Sequence, residues 1–160
     1  MTDFHRILKT LADANVDFIV VGGLAAVLQG APVHTKDLDI LYSLEPANQE
    51  RLLGALQKLG AVFRDDPRRI APNLSHLASR GHKLLTTDAG KLDCLGTIEE
   101  QTTYDDLLDH VDWMQIDDMR LRVISLPRLI QIKEKLTRPK DQLALLQLRA
   151  TLEEREAKKP

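Results

Sequence analysis

The sequence predicts an α/β fold: a small, mixed, twisted sheet flanked by helices, with a helical pair closing the chain. Three observations predict it. The continuous apolar run Phe18-Ile19-Val20-Val21 has the length and β-branched content of a buried strand, and it stops abruptly at Gly22-Gly23. Two later pairs of short segments are joined by Asp88-Ala89-Gly90 and by Asp117-Asp118-Met119, as hairpin strands are. Around these lie stretches whose apolar residues recur at helical spacing.

Taken in order, residues 3–14 place Phe4, Ile7, Leu8 and Leu11 on one helical stripe that ends at Asn15. The strand at 18–21 follows, then the glycine pair and a short helix over 24–29. Asp37-Leu38-Asp39-Ile40 alternates acid with apolar residue, as a strand with one wet face does. Glu45-Pro46 starts a helix whose stripe of Leu52, Leu53, Leu56 and Leu59 is ended by Gly60. Residues 61–64 read as a short strand. Residues 65–81, with two prolines and five charges, read as a loop containing one helical turn over 73–79, placed to act as a flap over substrate. Arg64, Arg68, Arg69 and Arg80 are there either to hold an acidic substrate or as a solvated run. HKLLTT and KLDCLG form the first hairpin, residues 103–110 a short helix, and VDWMQI and RLRVISL the second hairpin. In that hairpin Trp113 and Met114 read as packing groups rather than base-stacking ones. Helices over 127–137 and 139–156 follow, started or restarted by Pro127 and Pro139, and the tail EEREAKKP is expected to fray.

Length and composition set the frame. At 160 residues the chain is expected to be one domain over 1–160, with a core over about 1–125 and the helices 126–156 packed on it. Net charge is −2, so no global basic field points to nucleic acid. Cys94 is the only cysteine, which excludes an intramolecular disulfide and a cysteine-rich zinc site. No stretch approaches the ~20 apolar residues of a membrane span, and the amino terminus is unlike a secretory signal, so a cytoplasmic protein without a membrane partner is expected. No GxxxxGK[ST] loop is present.

The chemistry concentrates in residues 18–40. Gly22-Gly23 sits where a strand turns into a helix, a place where bare backbone N–H groups can face an anion such as phosphate. Asp37 and Asp39, two apart in an extended chain, project from one face with their roots about 7 Å apart. Such like charges are costly together unless a cation sits between them, and a divalent metal answers that need. Asp93 stands between Leu92 and Cys94 in another strand, where an acid has either an exposed face or an unusual partner; Glu99 and Glu100 fall past that strand's end.

A glycine pair closing a strand, a short helix, and an Asp-x-Asp strand with 13 residues between Gly23 and Asp37 resemble the signature of the DNA polymerase β-type nucleotidyltransferase superfamily. More narrowly, the chain resembles its small stand-alone prokaryotic members, the minimal nucleotidyltransferases and the abortive-infection-type nucleotidyltransferase toxins. The resemblance implies transfer of a nucleoside monophosphate from an NTP to an acceptor hydroxyl with release of pyrophosphate. It implies Mg²⁺ or Mn²⁺ held by Asp37, Asp39 and Asp93, the last matched to the superfamily's third carboxylate. Gly22 and Gly23 would then cradle the phosphates. The acceptor stays open among a tRNA end, a protein hydroxyl and a small molecule, and a toxin–antitoxin partner is conceivable for this group. The rival is a non-catalytic interaction protein on the same scaffold, an antitoxin or nucleotide sensor.

One further residue stands out. On the helix after Pro127, a step of 100° per residue puts Lys133 amid Leu126, Leu129, Ile130 and Leu136. An ammonium there must snorkel to water or meet an anion, either a triphosphate or the acidic cluster. The resemblance implies that Lys133 contacts the nucleotide phosphates and that Asp141, within RPKD at 138–141, supports the nucleotide site. As a bare residue, Asp141 is simply an acid favoured at a helix start.

Overall fold

The computed structural model describes residues 1–159 and builds one seven-stranded sheet in the order β3-β4-β5-β2-β1-β7-β6. The strands are β1 (Phe18–Val21), β2 (Leu38–Tyr42), β3 (Val62–Phe63), β4 (His82–Thr87), β5 (Gly90–Leu95), β6 (Val111–Ile116) and β7 (Met119–Ile124). β2 pairs parallel with β5 and β1 parallel with β7; every other neighbouring pair is antiparallel. Seven α-helices are described around it: α1 (Phe4–Asp13), α2 (Gly22–Leu28), α3 (Pro46–Lys58), α4 (Leu74–Ala78), α5 (Tyr104–Leu107), α6 (Leu126–Glu134) and α7 (Pro139–Ala157). Among the described residues no helix is long and apolar enough to cross a membrane.

Local chemistry explains these elements. The four residues of β1 are all buried, which suits a run of Phe, Ile and Val in a central strand. Asp3 caps α1 by accepting from the Arg6 N–H, and Ser125 caps α6 by accepting from the Arg128 N–H, each satisfying a donor that the first turn leaves open. α4 and α5 are only a turn long, and each is held by a reciprocal capping box, Asn73 with His76 and Thr103 with Asp106.

Several boundaries differ from expectation, among them the helix expected over 127–137, which ends at Glu134. α2 starts at Gly22 rather than 24, so the glycine pair is the first turn of the helix. β2 starts at Leu38, which leaves Asp37 just outside the strand rather than on it. α7 continues to Ala157, so most of the tail expected to fray is helical. Trp113 corrects a further expectation. It is 49% exposed, and the guanidinium groups of Arg122 and Arg120 lie 4.4 and 4.9 Å from its ring. On an edge strand with no sheet neighbour beyond it, the indole packs under cations rather than into the core.

The two strands that lead to the site are tied at their opposite ends by one buried amide. Asn48 is 1% exposed; its Oδ1 accepts from the Asp17 N–H at 2.7 Å, and its Nδ2 donates to Ser43 O at 2.8 Å and Asp17 O at 3.1 Å. It therefore joins α3 to the start of β1 and the end of β2. Asn48→Ala strands the Asp17 N–H and Ser43 O, while Asp17 O keeps the Ser43 N–H, and is expected to cost about 2 to 3 kcal/mol in chemical denaturation. A loss under about 1 kcal/mol would show that water replaces the amide.

Candidate active site

Strand register brings the acids together. The parallel pairing of β2 with β5 sets Asp39 opposite Asp93, and the antiparallel pairing of β1 with β2 sets Asp39 opposite Val21, immediately before the glycine pair. Gly22 has φ +68°, and a Cβ added there would lie 2.1 Å from Asp39 Oδ2. A side chain is excluded both by the backbone conformation and by the carboxylate. At Gly23 a Cβ would lie 2.7 Å from Thr35 Oγ1, and that hydroxyl donates to Asp37 O at 3.0 Å. The glycine pair is thus required by close approach of the acidic segment as well as by the strand-to-helix turn.

Asp39 is the most perturbed acid of this group. Burial, then the Asp93 carboxyl within hydrogen-bonding reach, then the charges of Asp93 and Asp37 push it up to about 7, against a smaller opposing pull from Arg64. Two carboxyl groups in such contact cannot both ionise cheaply without a cation. Asp93 already has one. Arg64 Nη2 donates to Asp93 Oδ1 at 2.6 Å, and both side chains are about 15% exposed. Of the four arginines in and beside the 65–81 segment, Arg64 is therefore neither a solvated residue nor free for substrate, whereas Arg68 pairs with Asp66 on the surface.

The oxygen-only donor set suits a hard divalent ion, and the proton that Asp39 retains near neutrality marks where a cation would relieve repulsion. The arrangement is not a closed cage, however. Among the described residues no three His, Cys, Asp or Glu side chains are grouped closely enough to hold a metal ion. Asp93 has one oxygen committed to Arg64, and Asp37 precedes the strand. The residues that would hold such an ion are Asp37, Asp39 and Asp93.

Lys133 and Asp141 form a separate pair. Lys133 Nζ lies 3.3 Å from Asp141 Oδ1, and Arg138 Nε donates to Asp141 Oδ2 at 2.7 Å. Asp141 is 1% exposed, and the hydrogen bond from Arg138, with help from Lys133, holds its pKa below the usual carboxylate range. The anion that Lys133 meets is thus Asp141. Arg138 is the residue that sequence reasoning missed here, although its place in RPKD, three before the acid, was a legible signal. Glu99 pairs with Arg128 and Lys135 rather than with the aspartates. Burial opposes its charge, but Lys135, Arg128 and Thr102 more than offset that and hold it down to about 2. A cavity of about 510 Å³ lined by Thr2, Phe4, Thr35, Lys36, Gly90 and Lys91 adjoins the acidic segments in the chain.

The sequence matches, over residues 3–137, the family described as Aminoglycoside-2''-adenylyltransferase. No curated protein sequence matches it. Among solved structures it is similar to the lincosamide antibiotic adenylyltransferase LnuA with lincomycin bound, with a TM-score of 0.65 and 15% identity over 92% of this chain and 95% of that one. ANT(2'')-Ia in complex with adenylyl-2''-tobramycin gives 0.59 and 14%, over 93% and 87%. TM1012 from Thermotoga maritima gives 0.57 and 21%, over 96% of each. At these identities the likeness is one of fold, and the fold is that of the small nucleotidyltransferases.

The Asp39 shift has a measurable consequence. The folded chain keeps this proton up to about pH 7, whereas an unfolded chain releases it near pH 4. Folding therefore takes up a proton between those values, and stability falls as pH rises through that window. In metal-free urea titrations, the stability of the parent chain relative to Asp39→Asn should decline from about pH 4 to pH 7. A difference that is flat with pH would refute the shift.

Proposed function

This chain belongs to the aminoglycoside-2''-adenylyltransferase family and is a nucleotidyltransferase, and from that premise we propose that it moves AMP from ATP to a hydroxyl of a small-molecule acceptor, releasing pyrophosphate. The observation that carries the reading is Asp39 pressed against both Asp93 and the glycine turn. A strand-to-helix turn and a crowded acid pair in one place suit a triphosphate and its counter-ion, and they serve no need of the core.

In this reading the first-turn N–H groups of Gly22 and Gly23 point at phosphate oxygens. Lys133, steered by Asp141, supplies positive charge where the leaving pyrophosphate gains negative charge. Asp37, Asp39 and Asp93 hold Mg²⁺ or Mn²⁺, which when bound screens the triphosphate and lowers the pKa of the attacking hydroxyl. The acceptor oxygen bonds to the α-phosphorus as the bond to the pyrophosphate oxygen breaks, and the hydroxyl proton leaves through the acid cluster to solvent. Support for a small-molecule acceptor comes from the family description and from the antibiotics named with LnuA and ANT(2'')-Ia.

The grip of Arg64 on Asp93 favours a second reading, a nucleotide sensor that binds without turnover. Incubation with each α-labelled NTP and a panel of aminoglycosides, lincosamides, tRNA and cell extract separates them. The expected product is an AMP-labelled small molecule, with transfer falling at least about 100-fold in Asp39→Asn. Label on tRNA or protein alone would overturn the acceptor class, and calorimetric binding of a non-hydrolysable NTP with no product from any acceptor would favour the sensor.

A further inference from the structure

Arg64 is the one residue of the neighbourhood whose position makes poor sense as packing. It follows β3, and its backbone N–H donates to Leu84 O at 2.9 Å on β4. From there the side chain crosses β4, its Nη2 donating to Leu85 O at 2.8 Å, and ends on Asp93 of β5, two strands away. Two strand spacings are about 10 Å, a gap that the arginine and the Asp93 carboxylate close between them. The reach is achieved at a cost, since Arg64 Nε is buried with no hydrogen-bond partner. An apolar side chain would fill this space without stranding a donor, but it would leave the half-buried Asp93 carboxylate without its cation. What the guanidinium does is fix one end of a carboxylate: Oδ1 of Asp93 is taken, and the other oxygen is left for Asp39.

We propose that Arg64 is a positioning residue for nucleotidyl transfer, holding the Asp93 carboxylate by Oδ1 so that a single oxygen is presented to Asp39 and to whatever the pair binds. The inference rests on the nucleotidyl-transfer reading and adds to it a residue from outside the glycine and Asp-x-Asp segments. A residue that aims a carboxylate acts on turnover and leaves nucleotide capture to other groups. Because the guanidinium is needed only as a bridge between Leu85 O and Asp93, free guanidinium can replace it in the space left by truncation.

The experiment uses the full chain and begins with transfer by the parent protein. Arg64→Ala should lower kcat about 10- to 100-fold, the size typical of losing a partner that orients a ligand residue, with KM for the NTP within about threefold. Millimolar guanidinium should restore at least about tenfold of the loss and raise the melting temperature of Arg64→Ala, whereas ammonium should do neither. In Arg64→Ala/Asp93→Asn the same guanidinium should change neither quantity, since no carboxylate remains to be held. Arg64→Lys, which keeps the charge but replaces the planar guanidinium with a shorter, flexible ammonium, covers the case in which the alanine variant does not fold, and it should lose about tenfold in kcat. Parent-level kcat in Arg64→Ala or Arg64→Lys, or a loss that guanidinium does not restore, overturns the proposal. A parent protein that transfers nothing to any acceptor overturns the functional reading first, and the two failures are told apart by that initial measurement.

Discussion

The contact between Asp39 and Asp93 is the constraint on which the rest of this molecule turns. Two carboxyl groups side by side in a half-buried place raise each other's cost of ionisation, and left alone they would push the strands apart or hold a proton between them. They are kept together by backbone geometry: parallel register fixes β2 against β5, and each strand is flanked by another. The energy of a whole sheet therefore outweighs a local repulsion. Around that pair, Gly22 gives up a side chain to make room, and Arg64 spans β4 to neutralise one partner.

The same logic explains why cations here come already paired. Arg64 is bound to Asp93, Lys133 and Arg138 to Asp141, and Arg128 and Lys135 to Glu99. The acids are the buried or half-buried members of these pairs, and such a carboxylate without a partner would be costly. Asp141 shows this best. It is almost fully buried at the start of α7, gripped from two sides, and it links the two C-terminal helices through Lys133 of α6. An incoming triphosphate would compete with Asp141 for Lys133 rather than meet a bare ammonium.

The glycine pair illustrates how one motif serves two masters. A strand-to-helix turn at residues 22–23 exposes N–H groups, which is reason enough for small residues in a phosphate-binding reading. The clash distances supply an independent reason, because Asp39 and the Thr35 hydroxyl stand where side chains would go. Thr35 then anchors the backbone of Asp37, so the turn and the acidic segment are one unit although 13 residues separate Gly23 from Asp37.

By itself the sequence determined the α/β class, nearly all the strands and helices, and the segments from which a site could be made, because apolar periodicity and Gly/Pro punctuation are local properties that each stretch carries alone. It also marked Asp93 as an acid in an apolar strand and Lys133 as a cation on an apolar face. Only the tertiary structure decided what those residues meet. That Asp37 falls before the strand, that Lys133 answers to Asp141, that Trp113 lies under two arginines, and that Arg64 reaches Asp93 all depend on which strands become neighbours and in what register. Register is a property of pairs of segments far apart in the chain, and a shift of one residue would turn Asp93 to the opposite face, so no reading of either segment alone contains it.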